Sequence, residues 1–142
     1  MPVAEPLEKR EVVTAFLRHE GKILLVKRSK KVGSYQGYWS AISGYLEDPT
    51  PLAQAEREIR EETGLKTSDI QLIRYGTPLE IPSPENRCCW VVHPFLFDIK
   101  DPCQIKLDWE NSALFWIEPK SICNYKTVPM LQEAYHACMV EQ

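Results

Sequence analysis

Arg57-Glu58-Ile59-Arg60-Glu61-Glu62-Thr63-Gly64-Leu65 is a dense run of charge that closes on a glycine. Thr50-Pro51 stands one short helix ahead of it: threonine is a good N-cap and proline is tolerated at the first helical position. The residues between, from Leu52 to Thr63, are mostly strong helix formers, and Gly64 supplies the stop. On such a helix Glu58 and Glu62 lie about 40° apart and Glu61 about 60° to the other side of Glu58, so the three carboxylates share one face. Leu52, Ala55 and Ile59 form a separate apolar stripe that would dock the helix on a sheet. Two like charges about 6 Å apart repel by roughly 3 kcal/mol at an effective dielectric of 20. If the face is partly buried, something must offset that repulsion, and a hard divalent cation, Mg²⁺ or Mn²⁺, does so directly. Arg57 and Arg60 point elsewhere and offset only part of it. An isolated run of this kind would read as a solvated helix with i,i+4 charge pairs. The glycine-containing loop before it, the N-cap and the Thr-Gly-Leu exit argue for more.

Outward from this helix the chain reads as strands. Val12–Leu17 and Ile23–Val26 are rich in β-branched and aliphatic residues, and His19-Glu20-Gly21-Lys22 between them is a turn, which predicts a hairpin. Residues 1–10 read as a loose lead-in. Trp39–Ser43 is a short strand ending at Gly44, after a loop over residues 32–38. Three more strands are predicted at Ile70–Tyr75, Trp90–Ile99 and Ala113–Ile117, and a closing helix at Val128–Val140. The order of strands, helix, strands and helix is an α+β pattern with a mixed sheet. The 142 residues fit one domain, taken as residues 1–142.

Composition narrows the classes. Charged residues make up 26% and the net charge is −3, which argues against a protein that grips a nucleic-acid polymer through bulk positive charge. No apolar run is long enough to span a membrane. The first ten residues lack the apolar stretch of a signal peptide, so a cytoplasmic protein is expected. The five cysteines include no C-x-x-C pair, which disfavours a disulfide scaffold or a cysteine zinc site and fits reduced thiols; Cys88-Cys89 read as small buried residues.

The run at 57–65 resembles the signature of the Nudix hydrolases, G-x5-E-x7-R-E-U-x-E-E-x-G-U, where U is aliphatic. The second half is intact over nine contiguous positions. In the first half the leading glycine falls on Ser43 and the leading glutamate on Pro49, while Gly44 matches the glycine that often follows the first. The resemblance implies an α+β Nudix fold, a mixed sheet sandwiched between helices. It also implies a Mg²⁺- or Mn²⁺-dependent pyrophosphohydrolase cleaving a nucleoside diphosphate linked to another moiety, a small nucleotide substrate. On the matching positions, Glu58 and Glu62 are the principal metal-binding glutamates, Glu61 is a third ligand or helper, and the loop backbone at Gly44 approaches the metal. Arg57 would pair with the box's first glutamate, so Glu47 or Asp48 is the candidate replacement for Pro49. The alternative is a nucleotide-sensing or regulatory domain with little catalysis, which the changes at Ser43 and Pro49 favour. The resemblance also carries homodimerisation as an expectation.

The chemistry needs a general base, and the resemblance implies a box glutamate or one from a later loop: Glu110, six residues before Trp116, stands where many family members carry a loop glutamate, and its bland reading is a surface acid before a strand. Arg28 ends the second strand and either meets a substrate phosphate or belongs to a solvated basic cluster. Tyr38 and Trp39 could stack on a base, and Arg87 could line the cleft, although each alone is closer to core or rim than to a site. His93 reads as a satisfied core histidine.

Overall fold

Continuous burial in the central strands, with side chains pointing alternately to either side, builds two apolar faces, and those faces organise the molecule. The computed structural model describes residues 7–140. Strand β1 (Glu8–His19) turns at Glu20-Gly21 into β2 (Lys22–Arg28), the predicted hairpin. β1 starts four residues before the expected Val12, so the lead-in is shorter than predicted; residues 1–6 lie outside the described residues. The reason is a long partner: β1 runs parallel to β7 (Cys88–Ile99) from Glu8↔Cys88 to Arg18↔Asp98. Arg18 closes that ladder with an ion pair to Asp98, 2.7 Å from Nε to Oδ1.

The single strand expected at 39–43 is two. β3 (Trp39–Ser40) pairs with β2, and β4 (Ile42–Tyr45) pairs with β1, so the chain crosses from one neighbour to the next at buried Ala41. Helix α1 (Pro51–Thr63) has the predicted ends: the Thr50 side chain accepts from Ala53 N, and Gly64 takes φ +79° with its N–H bonded to Arg60 O. β5 (Ile70–Tyr75) matches its expected span and pairs with β7. A strand not foreseen, β6 (Leu79–Ser83), also pairs with β7. Its Pro82 hid it, since proline is tolerated only at sheet edges. β8 (Asn111–Ile117) pairs with β2. The closing helix α2 spans only Leu131–Met139, because Met130 sits at φ +65° and sets the helix start.

Alternation along the central strands sends Val13, Ala15 and Leu17 of β1, Leu24 and Val26 of β2, and Phe95, Phe97 and Ile99 of β7 to one face. There they pack against Ala55 and Ile59 of α1 and against Leu65. Leu52, expected in the same stripe, is exposed at the helix's first turn. Phe16, Ile23, Leu25 and Leu96 point to the other face and meet Leu131, Ala134, Tyr135 and Cys138 of α2. The mixed sheet is thus sandwiched between helices, with α1 and its carboxylates held on one side. No helix among the described residues is long and apolar enough to cross a membrane. Cys88 is buried as expected, but Cys89 is only half-buried. His93 is satisfied by Glu11, Nε2 to Oε1 at 3.0 Å.

Candidate active site

Three carboxylates converge where α1 passes beneath the end of β4 and the start of β8. Glu58 and Glu62 come from one face of α1, and Glu110 from the turn before β8. One oxygen from each lies within 4.8 Å of the others. The Asp108–Glu110 turn is fastened to the end of β2. Ser29 N donates to Glu110 O at 2.7 Å, Ser29 Oγ donates to Trp109 O at 2.7 Å, and Glu110 N donates to Asp108 Oδ1 at 3.0 Å.

Glu62 is 2% exposed. Its Oε1 accepts from Asn111 Nδ2 at 2.8 Å, while its Oε2 is buried with no hydrogen-bond partner among the described residues. An acceptor left unpaired out of water is costly. Glu58 is also buried; its Oε1 accepts from Gln54 Nε2 at 2.9 Å. Burial raises the proton affinity of Glu58, and raises that of Glu62 well above the ordinary range with help from the charge of Glu110. Burial, then Asp108 and Glu58, push Glu110 up to about 7. Three like charges at this separation and an orphaned carboxylate oxygen fit a hard divalent cation, whose preferred ligands are oxygens.

Gly44 is at this place for want of space. A Cβ built on it would lie inside the Glu58 carboxyl group, so no other residue lets that carboxylate sit against the β4 backbone.

Glu61, a third ligand or helper on the resemblance, stands outside the gathered set beside Arg57, which the resemblance pairs with the loop. Arg57 Nε donates to Glu61 Oε1 at 3.1 Å, and its Nη1 to Asp48 Oδ1 at 3.2 Å. Glu61 is therefore engaged by an arginine and is not one of the three gathered carboxylates. Of the two loop acids considered as substitutes for Pro49, it is Asp48 that faces Arg57.

A cavity of about 380 Å³ opens beside the carboxylates, lined among others by Glu58, Glu110, Arg28, Gly44, Tyr45 and Trp90. Arg28 Nε donates to Ser34 O at 3.0 Å and Nη2 to Ser34 Oγ at 3.4 Å, which aims the guanidinium along the cavity wall. Its burial lowers its proton affinity, opposed by the nearby charges of Glu62 and Glu110. No carboxylate among the described residues lies within ion-pair distance of it. Tyr38, Trp39 and Arg87 are not among the lining residues. Trp39 stacks on Phe115, ring centroids 5.1 Å apart, and packs on the α2-side core; Tyr38 lies under Lys126 Nζ. Arg87 caps a short 3-10 turn at φ +56°. The aromatic walls are instead Tyr35, Tyr45, Trp90 and Trp109.

Two side chains that hold these carboxylates carry no signal of it in the sequence analysis. Gln54 and Asn111 hold Glu58 and Glu62 respectively. Gln54 stands one helical turn before Glu58, a spacing that could have flagged it. Asn111 is a polar residue opening an apolar strand directly after Glu110.

The sequence profile of the NUDIX domain matches residues 8–138 of this chain. A CTP pyrophosphohydrolase of Escherichia coli (strain K12) is 28% identical over 131 residues, covering 89% of this chain and 91% of that protein. An octanoyltransferase of Myxococcus xanthus is 28% identical over 121 residues, 82% of this chain but 32% of that protein, so the chain spans about a third of its length. Among solved structures, the MutT protein of Methanosarcina mazei Go1 superposes with a TM-score of 0.73 at 20% identity, covering 94% of each chain.

Proposed function

The chain belongs to the NUDIX family, and from that premise we propose that it is a divalent-metal-dependent pyrophosphohydrolase acting on a nucleoside triphosphate or a nucleoside diphosphate derivative. The observation that carries this reading is the convergence of Glu58, Glu62 and Glu110 within 4.8 Å at the edge of the cavity. Glu58 and Glu62 would hold Mg²⁺ or Mn²⁺, with Glu110 facing them. When bound, the metal neutralises phosphate oxygens and acidifies water.

The chain's own residues supply the rest. Glu62, buried and oriented by Asn111, fixes the inner end of the set. Glu58 is held over Gly44 by Gln54. Glu110 is the half-buried member on the cavity wall, with access to solvent, and takes the proton of the attacking water. Arg28, without a carboxylate partner among the described residues, meets the phosphate chain of the substrate, as a guanidinium suits phosphate geometry. Tyr45 and Trp90, ring centroids 6.0 Å apart, offer the substrate's base an aromatic wall. Water attack at one phosphorus breaks the phosphoanhydride bond, and the leaving phosphate carries away the electron pair. Arg57, tied to Asp48 and Glu61, braces the helix against the loop and so does the work for which Pro49 has no side chain.

A hydrolysis panel tests this. CTP heads it, because the E. coli relative is named for that nucleotide, followed by the other triphosphates, ADP-ribose, nucleotide sugars and dinucleoside polyphosphates. The expected result is turnover that needs Mg²⁺ or Mn²⁺ and is lost in Glu58→Gln. No turnover across the panel, with a nucleotide still raising the melting temperature, would replace this reading with a nucleotide sensor.

A further inference from the structure

Loop 46–50, between β4 and α1, is tied to the helix at Thr50, which caps Ala53 N, and at Asp48, which pairs with Arg57, but not at Pro49. Pro49 has no N–H and no polar side chain. The loop backbone at Glu47 and Asp48 is gathered by a buried amide. Gln54 is 1% exposed, and its Oε1 accepts from both Glu47 N and Asp48 N, each at 2.8 Å. Its Nε2 donates to Glu58 Oε1 at 2.9 Å. The amide's orientation is forced, since two backbone N–H groups need an acceptor and a carboxylate needs a donor. An aliphatic side chain of this length serves neither end. A glutamate serves only the loop and would abut Glu58 with like charge.

We propose that Gln54 is the positioning residue of this metal site, coupling the β4–α1 loop to the orientation of Glu58. It touches neither metal nor substrate. It fixes one carboxylate oxygen of Glu58, leaving the other for the cation, and it holds Asp48 where Arg57 reaches it. Partners of this kind around a metal ligand change affinity by about 10–100-fold when removed. The proposal rests on the reading of Glu58 as a metal ligand.

The test is Mn²⁺ binding by calorimetry on the unaltered chain and on Gln54→Met, which keeps the volume and removes all three hydrogen bonds. The expected result is a Kd raised about tenfold or more in Gln54→Met, with turnover recovering as Mn²⁺ is raised. A Kd within twofold of the unaltered chain, with only the melting temperature lowered, would make Gln54 a loop clamp and overturn the proposal alone. An unaltered chain that binds no Mn²⁺ would overturn the metal reading and this proposal with it. If Gln54→Met does not fold, nuclear magnetic resonance on the unaltered protein decides. The Glu47 and Asp48 amides should exchange slowly, and the Gln54 side-chain NH₂ resonances should move on adding Mg²⁺. Fast exchange, or no response at Gln54, would overturn it.

Discussion

Asn111 Nδ2 lies 2.8 Å from Glu62 Oε1, a bond that joins the first residue of β8 to the last turn of α1 across 49 positions of sequence. Both side chains are buried, so the contact leaves Glu62 with one satisfied oxygen and one free to bind. Asn111→Ala removes the donor without touching the cavity's aromatic walls. Metal affinity and kcat/KM should fall by about 10–100-fold, measured by Mn²⁺ titration of the hydrolysis rate. An unchanged metal dependence would show that Glu62 needs no orienting partner.

Gly44→Ala places a methyl where the Glu58 carboxyl group sits. The far end of Glu58 can swing aside, so the fold survives, but the ligand set does not keep its geometry. A misplacement on this scale costs about a hundredfold in rate. Turnover and thermal unfolding measured together should show a large loss in the first and a small one in the second.

The acidic cluster makes the metal-free protein sensitive to pH. Glu58 and Glu62 are raised, and Glu110 is raised from 4.5 to about 7, with burial the leading cause in each. Between the unfolded and folded values the folded chain binds more protons than the unfolded one. The contribution to stability is therefore full below about pH 4.5 and is lost as pH rises through the folded values. In the presence of EDTA the melting temperature of the unaltered chain should fall between pH 5 and pH 8 relative to Glu62→Gln. Added Mn²⁺ should restore it more at pH 8 than at pH 5, because the metal binds the ionised set. Parallel curves for the two proteins in EDTA would contradict this.

The thiols should separate by burial. Cys103 and Cys123 are exposed, while Cys88 and Cys138 are buried, and burial pushes the Cys138 thiol up to about 12. Maleimide followed by mass spectrometry should label Cys103 and Cys123 in the folded protein and reach Cys88 and Cys138 only on unfolding.

What was legible in the sequence was whatever local chemistry dictates. The helix ends at Thr50 and Gly64, the hairpin turn at Glu20-Gly21 and the span of β5 all follow from caps, turns and alternation. The pairing of Glu58 with Glu62 follows from helical spacing, and the family likeness drew attention to Glu110 as a base, though its meeting with the pair is tertiary. The misses are tertiary. Residues 8–10 become strand because β7 lies alongside them, and β6 forms despite Pro82 because it needs only an edge. Glu61 shares a helical face with Glu58 on a wheel, but Arg57 takes it one turn away. Tyr38 and Trp39 have the right chemistry for a base, yet Phe115 and Tyr125 of later elements claim Trp39. Gln54 and Asn111 draw their roles from partners that no local pattern names.

The most direct test of the central claim is the turnover number of Glu62→Gln on the best nucleotide substrate, read beside its melting temperature in EDTA. The substitution keeps an acceptor for Asn111 and removes a charge from the buried cluster. Turnover should fall by about a thousandfold, some 4 kcal/mol in barrier, with the metal-free melting temperature equal to or above that of the unaltered chain. Turnover within threefold of the unaltered enzyme would contradict it.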